Sequence, residues 1–219
     1  LTTNTIGKRN VAVGKHTLRM NTTADDNTAI GAYSLTANTT GHSNVAVGRS
    51  VLTTNTIGYT NVAVGYDALK DNTTGNQNTG IGGYALTNNT TGGYNVAVGS
   101  DALYSNTIGQ YNVAVGRRAL KLNTTASFNT AIGTYSLQEN TTGQNNTAVG
   151  YFSLYANTVG ADNVAMGFYS LGSNSTGKQN VSVGYQTMNS NSIGQYNTAM
   201  GYRSMYTNTT GTDNTAVGR

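Results

Sequence analysis

An active site needs a few unlike side chains that converge once, so the candidate acids, bases and ligands come first. The chain has two histidines, His16 and His42, and they fall in different copies and at different places of a seventeen-residue repeat. The eight carboxylates (Asp25, Asp26, Asp67, Asp71, Asp101, Glu139, Asp162, Asp213) scatter over four repeat positions and never share a column on adjacent copies. Cysteine is absent, which removes disulfides and thiolate metal sites. The glycine and aspartate pattern of calcium-binding β-rolls is missing. Gly80-Ile81-Gly82-Gly83 lies in an ordinary repeat, without the strand, loop and helix that a phosphate cradle requires. These features predict a protein that is not an enzyme, with no cofactor and no metal.

The residues that vary between copies carry more information. All fifteen tyrosines avoid the fixed positions of the repeat, which predicts that they lie on the surface. Two rows recur every 51 residues: Tyr33, Tyr84 and Tyr135, then Tyr104, Tyr155 and Tyr206. Tyrosine supplies large, rigid, amphipathic contact area, so these six are the candidate ligand-binding residues, suited to glycans or varied protein surfaces. Duplication of a 51-residue block explains the same rows without any selection for binding. Basic residues gather at Lys8, Arg9, Lys15 and Arg19, and at Arg117, Arg118 and Lys121. They read as a solvated face or as attraction toward an anionic surface. With only 9% charged residues the net charge of +4 is small, and nucleic acid is not an expected partner.

What must position these side chains is the repeat itself. An Asn returns every seventeen residues without insertion, at Asn10, Asn27, Asn44, Asn61, Asn78, Asn95, Asn112, Asn129, Asn146, Asn163, Asn180, Asn197 and Asn214. Counting each copy from that Asn, the pattern is N-[VT]-A-[VIM]-G-x-x-[ASTV]-[LM]-x-x-N-[TS]-[TIV]-[GA]-x-x. A fixed period identifies units that bury their apolar surface by stacking on their neighbours. Alternation at the second to fifth positions has the period of a strand. A second extended stretch is expected around the Leu at the ninth position. Recurring Gly and Asn argue against helix. Gly at the fifth position, and Gly (or Ala24 and Ala126) at the fifteenth, mark corners. The chain has no proline, as expected if each rung's N–H groups donate to the next rung.

The expected fold is therefore all-β: a parallel β-solenoid, or β-roll, of about thirteen 17-residue rungs over 1–219, read as one repeat domain and a segment of a longer fibre. At a strand spacing of about 4.8 Å it would be a rod on the order of 60 Å long. The leading Asn side chains would pair along the axis as ladders. Val and Ile at the second and fourth positions are expected inside, with Ala at the third position pointing the other way as a flat strip against another chain. That predicts a homo-oligomer, a trimer in preference to a monomer with a flat cross-section. Asn at the twelfth position generates eight Asn-Thr-Thr or Asn-Ser-Thr sequons, including Asn21, Asn72 and Asn174, which the repeat explains without glycosylation if that column is packed.

The recurring NVAVG, NTAIG and NTAVG, each followed by a turn and AL or SL, resemble the repeats in heads of YadA-type trimeric autotransporter adhesins. The longer unit NTAVGYFSLYANTVG is similar to repeats of tail-fibre-type proteins in phages and bacteria. The resemblance implies left-handed winding, a homotrimer, and an extracellular place on a cell surface or virion-like fibre. It also implies attachment to a host cell, prey or matrix. No run of the sequence is long and apolar enough for membrane insertion. A structural filament and, less favoured, an ice-binding protein built on the Thr/Ser column at the thirteenth position are the alternative functions. Neighbouring domains are expected on both sides.

Overall fold

The computed structural model describes residues 3–219, which form two compact units dividing between Gln110 and Tyr111. Each is a parallel β-solenoid. The first carries six three-residue strands, from Val11–Val13 to Val96–Val98, and the second seven, from Val113–Val115 to Thr215–Val217. Within each unit every strand pairs in parallel with the next at an offset of one repeat, as in Val45↔Val62 and Val164↔Val181. There is no helix among the described residues.

The strands are short because each rung turns within a few residues. Gly at the fifth position has φ between 122° and 136°. The seventh, ninth and seventeenth positions also adopt left-handed backbone, and the Leu or Met at the ninth has φ between 46° and 53°. The extended stretch expected around that Leu is therefore a run of turns. Left-handed backbone costs a non-glycine residue about 1–2 kcal/mol. Full burial of a Leu side chain returns roughly 1.5–3 kcal/mol, and Leu18 through Leu171 are completely buried. Hydrogen bonding follows the turns. Ser50 N–H donates back to Ala32 O at 2.9 Å, whereas Leu52 N–H donates forward to Ala68 O at 3.2 Å.

The two faces of the strand are the reverse of the expected ones. Ala at the third position is fully buried in the inner rungs, as at Ala46, Ala63 and Ala148, while the flanking Val, Thr, Ile and Met lie half-exposed or exposed. The interior is too narrow for two branched columns. One Leu per rung, the eighth-position residue before it (Ser34, Val51 or Ala68, for example) and two files of Asn side chains occupy it, and only a side chain as small as Ala or Ser fits opposite. Gly80 makes this concrete, because a Cβ there would sit 3.3 Å from Leu69 Cδ1. The other exception, Ser182, is inside as well: its hydroxyl donates to Thr187 O at 2.9 Å and accepts from the Ser170 hydroxyl at 2.7 Å. Ala63 and Ala97, one rung to either side of Gly80, fit the same place. Gly80→Ala is accordingly expected to stabilise the protein by about 0.5–1 kcal/mol, the usual cost of Gly inside a regular element. A higher urea midpoint checks it.

The fifteenth position differs from the fifth. Its Gly residues do not carry positive φ; they allow close approach. Gly75 O, for example, accepts from two residues of its own repeat, Asn72 Nδ2 at 3.0 Å and the leading Asn61 Nδ2 at 2.9 Å.

Candidate functional site

Two amide columns consume most of the polar capacity of the interior. In the first unit each leading Asn takes the backbone N–H of the next, from Asn27 N–H to Asn10 Oδ1 through Asn95 N–H to Asn78 Oδ1, all at 3.0 Å. In the second unit Asn129, Asn146, Asn163, Asn180, Asn197 and Asn214 repeat this at 2.9–3.1 Å, with Asn129 donating to Asn112. A parallel ladder joins the twelfth-position residues, such as Asn72 Nδ2 to Asn55 Oδ1 at 2.8 Å. The inner members of both columns are fully buried, so the sequons at Asn21, Asn72 and Asn174 offer no access to a glycosyl group in the folded chain. At the thirteenth position Thr and Ser hydroxyls donate to the carbonyl one rung on, as in Thr39 to Thr56 O at 3.0 Å.

Most titratable residues sit outside this frame, on the turns; Asp67 is buried, 3.6 Å from Lys70 Nζ. Arg9 bridges Asp26 at 2.5 Å and Asp25 at 3.8 Å. The hydrogen bond from Arg9 holds the Asp26 carboxyl below its ordinary range. Together with His42, Asp25 and Asp26 line an open depression that also includes Thr23, Ala24 and Thr40. His42 stacks on Tyr59 at a centroid distance of 5.1 Å, and His16 tilts against Tyr33 at 5.3 Å. Among the described residues no three His, Asp or Glu converge as a metal site would require.

The six tyrosines singled out by their 51-residue spacing stand at the seventh position (Tyr33, Tyr84, Tyr135) and the tenth (Tyr104, Tyr155, Tyr206). Within one unit, members of a row lie three rungs apart, about 14 Å at the usual strand spacing. Tyr84 instead packs edge-on to Tyr66 at 5.3 Å, and Tyr206 lies under the Arg203 guanidinium at 4.9 Å. Tyr104 is half-buried, and its carbonyl accepts from Asn88 N–H at 3.2 Å. Tyr155 meets Phe152 at 4.8 Å. Burial, then the charge of Glu139 and a hydrogen bond to it, push the Tyr155 hydroxyl above the ordinary phenol range.

Contact is made between adjacent rungs, and there the second unit carries a continuous strip. At the sixth position Tyr151, Phe168, Tyr185 and Tyr202 stack at successive centroid distances of 5.6, 5.1 and 5.3 Å, with ring planes within 14°. At the seventh, Tyr135, Phe152 and Tyr169 stack at 4.8 Å each. The columns meet edge to face, Tyr151 against Phe152 at 4.4 Å and Phe168 against Tyr169 at 5.0 Å. Arginines close both ends. Arg117 lies 5.7 Å over Tyr135 and donates to its hydroxyl at 3.0 Å, and Arg219 lies 5.7 Å over Tyr202. No family model, curated protein or solved structure matches this chain. The strip must therefore be read from its own geometry.

Two of the three phenylalanines, Phe152 and Phe168, supply part of that strip, and tyrosine rows alone leave them out. The signal available in the sequence is Tyr151-Phe152 followed one repeat later by Phe168-Tyr169, then Tyr185 and Tyr202 at the same register. The matching columns of the first unit hold Lys15, Ala32, Arg49, Tyr66, Gly83 and Ser100, and His16, Tyr33, Ser50, Asp67, Tyr84 and Asp101. The strip is thus a property of one unit and not of the repeat.

Proposed function

We propose that this chain is a repeat region of a non-enzymatic extracellular fibre or adhesin that mediates or presents attachment to a cell, prey or matrix surface. The reading rests on the exposed aromatic strip, carried on a scaffold whose buried Asn columns are hydrogen-bonded rung by rung. Tyr151, Tyr185 and Tyr202 are each more than 40% exposed. Exposed contiguous apolar surface of this kind marks interaction sites on soluble proteins. Weak contacts repeated along a fibre, and over several chains, gain by multivalency.

The assembly that fits this role is a left-handed homotrimer. Its support is the outward apolar sheet face, where Val13, Ile30, Ile81, Ile132, Met166 and Met200 are exposed. Packing that face against two further copies would bury the Val, Ile and Met column. Sedimentation equilibrium is expected to give three times the 22.8 kDa chain mass. Val47→Lys with Val64→Lys is expected to give monomers with a nearly unchanged melting temperature, because both side chains point outward. A monomeric wild-type chain would remove the trimer, and indefinite polymers would favour the filament reading. Ice binding has less to recommend it, since the thirteenth-position hydroxyls already spend their protons on backbone carbonyls.

A further inference from the structure

We propose that the aromatic strip of the second unit binds a linear acidic polysaccharide, laid along the two stacked columns with its anionic groups toward the arginines at their ends. This deepens the adhesive reading above and rests on it. The fold has no need of aromatics at these positions. The first unit builds the same turn with Ala32, Ser100 and Gly83 at the sixth position, and a Cβ on Gly83 would meet nothing within 4 Å. At the seventh position Tyr135, Phe152 and Tyr169 have φ of 61°, 54° and 51°. His16, Asp67 and Asp101, which the first unit places there beside Ser50, Tyr33 and Tyr84, are residue types that tolerate that backbone better than a bulky ring.

Geometry narrows the ligand. Along each column the ring faces cover one another, so a ligand meets ring edges and hydroxyls. Ring edges carry the positive end of the aromatic quadrupole and favour oxygen-rich partners. Bases of a nucleic acid would need the faces, and those are taken. Charge points the same way. The second unit has six cations (Arg117, Arg118, Lys121, Lys178, Arg203, Arg219) against three carboxylates (Glu139, Asp162, Asp213), a balance of +3, and none of the three stands in the sixth or seventh column. Glu139 is engaged by Gln138 at 2.7 Å and by Tyr155. Register separates a sugar chain from a peptide. Rungs repeat at about 4.8 Å, close to the length of one pyranose ring, whereas an extended peptide advances about 3.3 Å per residue and drifts out of step.

Polygalacturonate, its fully methyl-esterified form and poly-glutamate serve as probes for the intact chain by calorimetry. Polygalacturonate is expected to bind and to weaken with added salt. Phe168→Ser with Tyr185→Ser places at both sites the residue that Ser100 already occupies in the first unit, and is expected to raise Kd roughly tenfold or more, the loss of two or three ring contacts. Arg203→Gln with Arg219→Gln is expected to raise it about fivefold at low salt. Tyr59→Ser with Tyr66→Ser, in the first unit, is expected to leave it unchanged. If the aromatic pair melts early, the arginine pair decides.

Equal binding of the methyl ester, equal loss in the first-unit variant, or no binding by the wild type would overturn the proposal. Tighter binding of poly-glutamate would also overturn it and assign the strip to an acidic protein. A trimer that adheres to cells but ignores polygalacturonate would lose this site and keep its fibre role. A monomer that binds polygalacturonate would do the opposite.

Discussion

Asn78→Ala is expected to cost about 3–5 kcal/mol, and Asn78→Asp more than that at neutral pH but less as the pH falls. Asn78 is fully buried. Its Nδ2 donates to Gly92 O at 2.8 Å and Asn61 Oδ1 at 3.2 Å, while its Oδ1 accepts from Asn95 N–H at 3.0 Å and Asn95 Nδ2 at 3.2 Å. Truncation removes all four bonds and leaves the Asn95 N–H buried without an acceptor. That orphan alone costs about 1–3 kcal/mol, and the other lost bonds add about 0.5–1.5 kcal/mol each. Asp keeps the acceptor for Asn95 but turns a carboxylate oxygen toward two other oxygens, Gly92 O and Asn61 Oδ1. Burial and this repulsion both favour the protonated acid, which regains a donor. Its folded pKa therefore lies above its unfolded one, the folded state binds the proton more tightly, and stability rises as pH drops toward the ordinary carboxyl range. Urea midpoints of wild type and both variants at neutral and mildly acidic pH test this. A pH-independent deficit for Asn78→Asp would refute the ladder geometry.

The sequence carries the period, the strand and the sharp turn after it. NVAVG sets a three-residue strand ended by a glycine, and that is how Val62–Val64 and Gly65 stand. Which face of that strand lies inside is not legible, because alternation distinguishes two faces without saying which is covered. Judged by size, Val62 and Val64 look like core and Ala63 like surface. The interior inverts this, since Leu69, Ala68 and the amides of Asn61 and Asn72 fill it and leave room for a small side chain alone. Left-handed backbone at Leu69 is equally hidden, for nothing in a bulky aliphatic residue announces positive φ. It is possible only because neighbouring rungs fix the conformation on both sides. The aromatic strip lies between these cases. It is written in the sequence at the sixth and seventh positions, but a row of Tyr135, Phe152 and Tyr169 is seen only when Tyr and Phe are counted as one chemical class and followed at the step of a single rung.

Two glycines that look alike in the repeat should respond very differently to the same substitution. Gly65→Ala is expected to cost about 3–5 kcal/mol, combining a backbone region open essentially to glycine alone with overpacking. Gly65 has φ of 136°, and a Cβ there would lie 2.6 Å from Gly82 O and 2.7 Å from Gly82 C. Both are backbone atoms of the next rung, fixed by Gly82 N–H donating to Val64 O at 2.8 Å, so neither can yield without breaking the stack. Gly58→Ala puts its methyl near the Asn55 amide oxygen and 2.5 Å from Gly75 O, which looks no easier. The chain itself answers otherwise, because Ala24 and Ala126 occupy that position and their carbonyls still accept from Asn21 Nδ2 at 3.2 Å and Asn123 Nδ2 at 3.0 Å. Without positive φ, a slight widening of the rung is the whole cost, about 1 kcal/mol at the lower edge of overpacking. Paired denaturation of the two variants reads the difference directly. A Gly58→Ala loss as large as that of Gly65→Ala would mean that the fifteenth position is a conformational corner after all, and that Ala24 and Ala126 are tolerated only through changes in their own rungs.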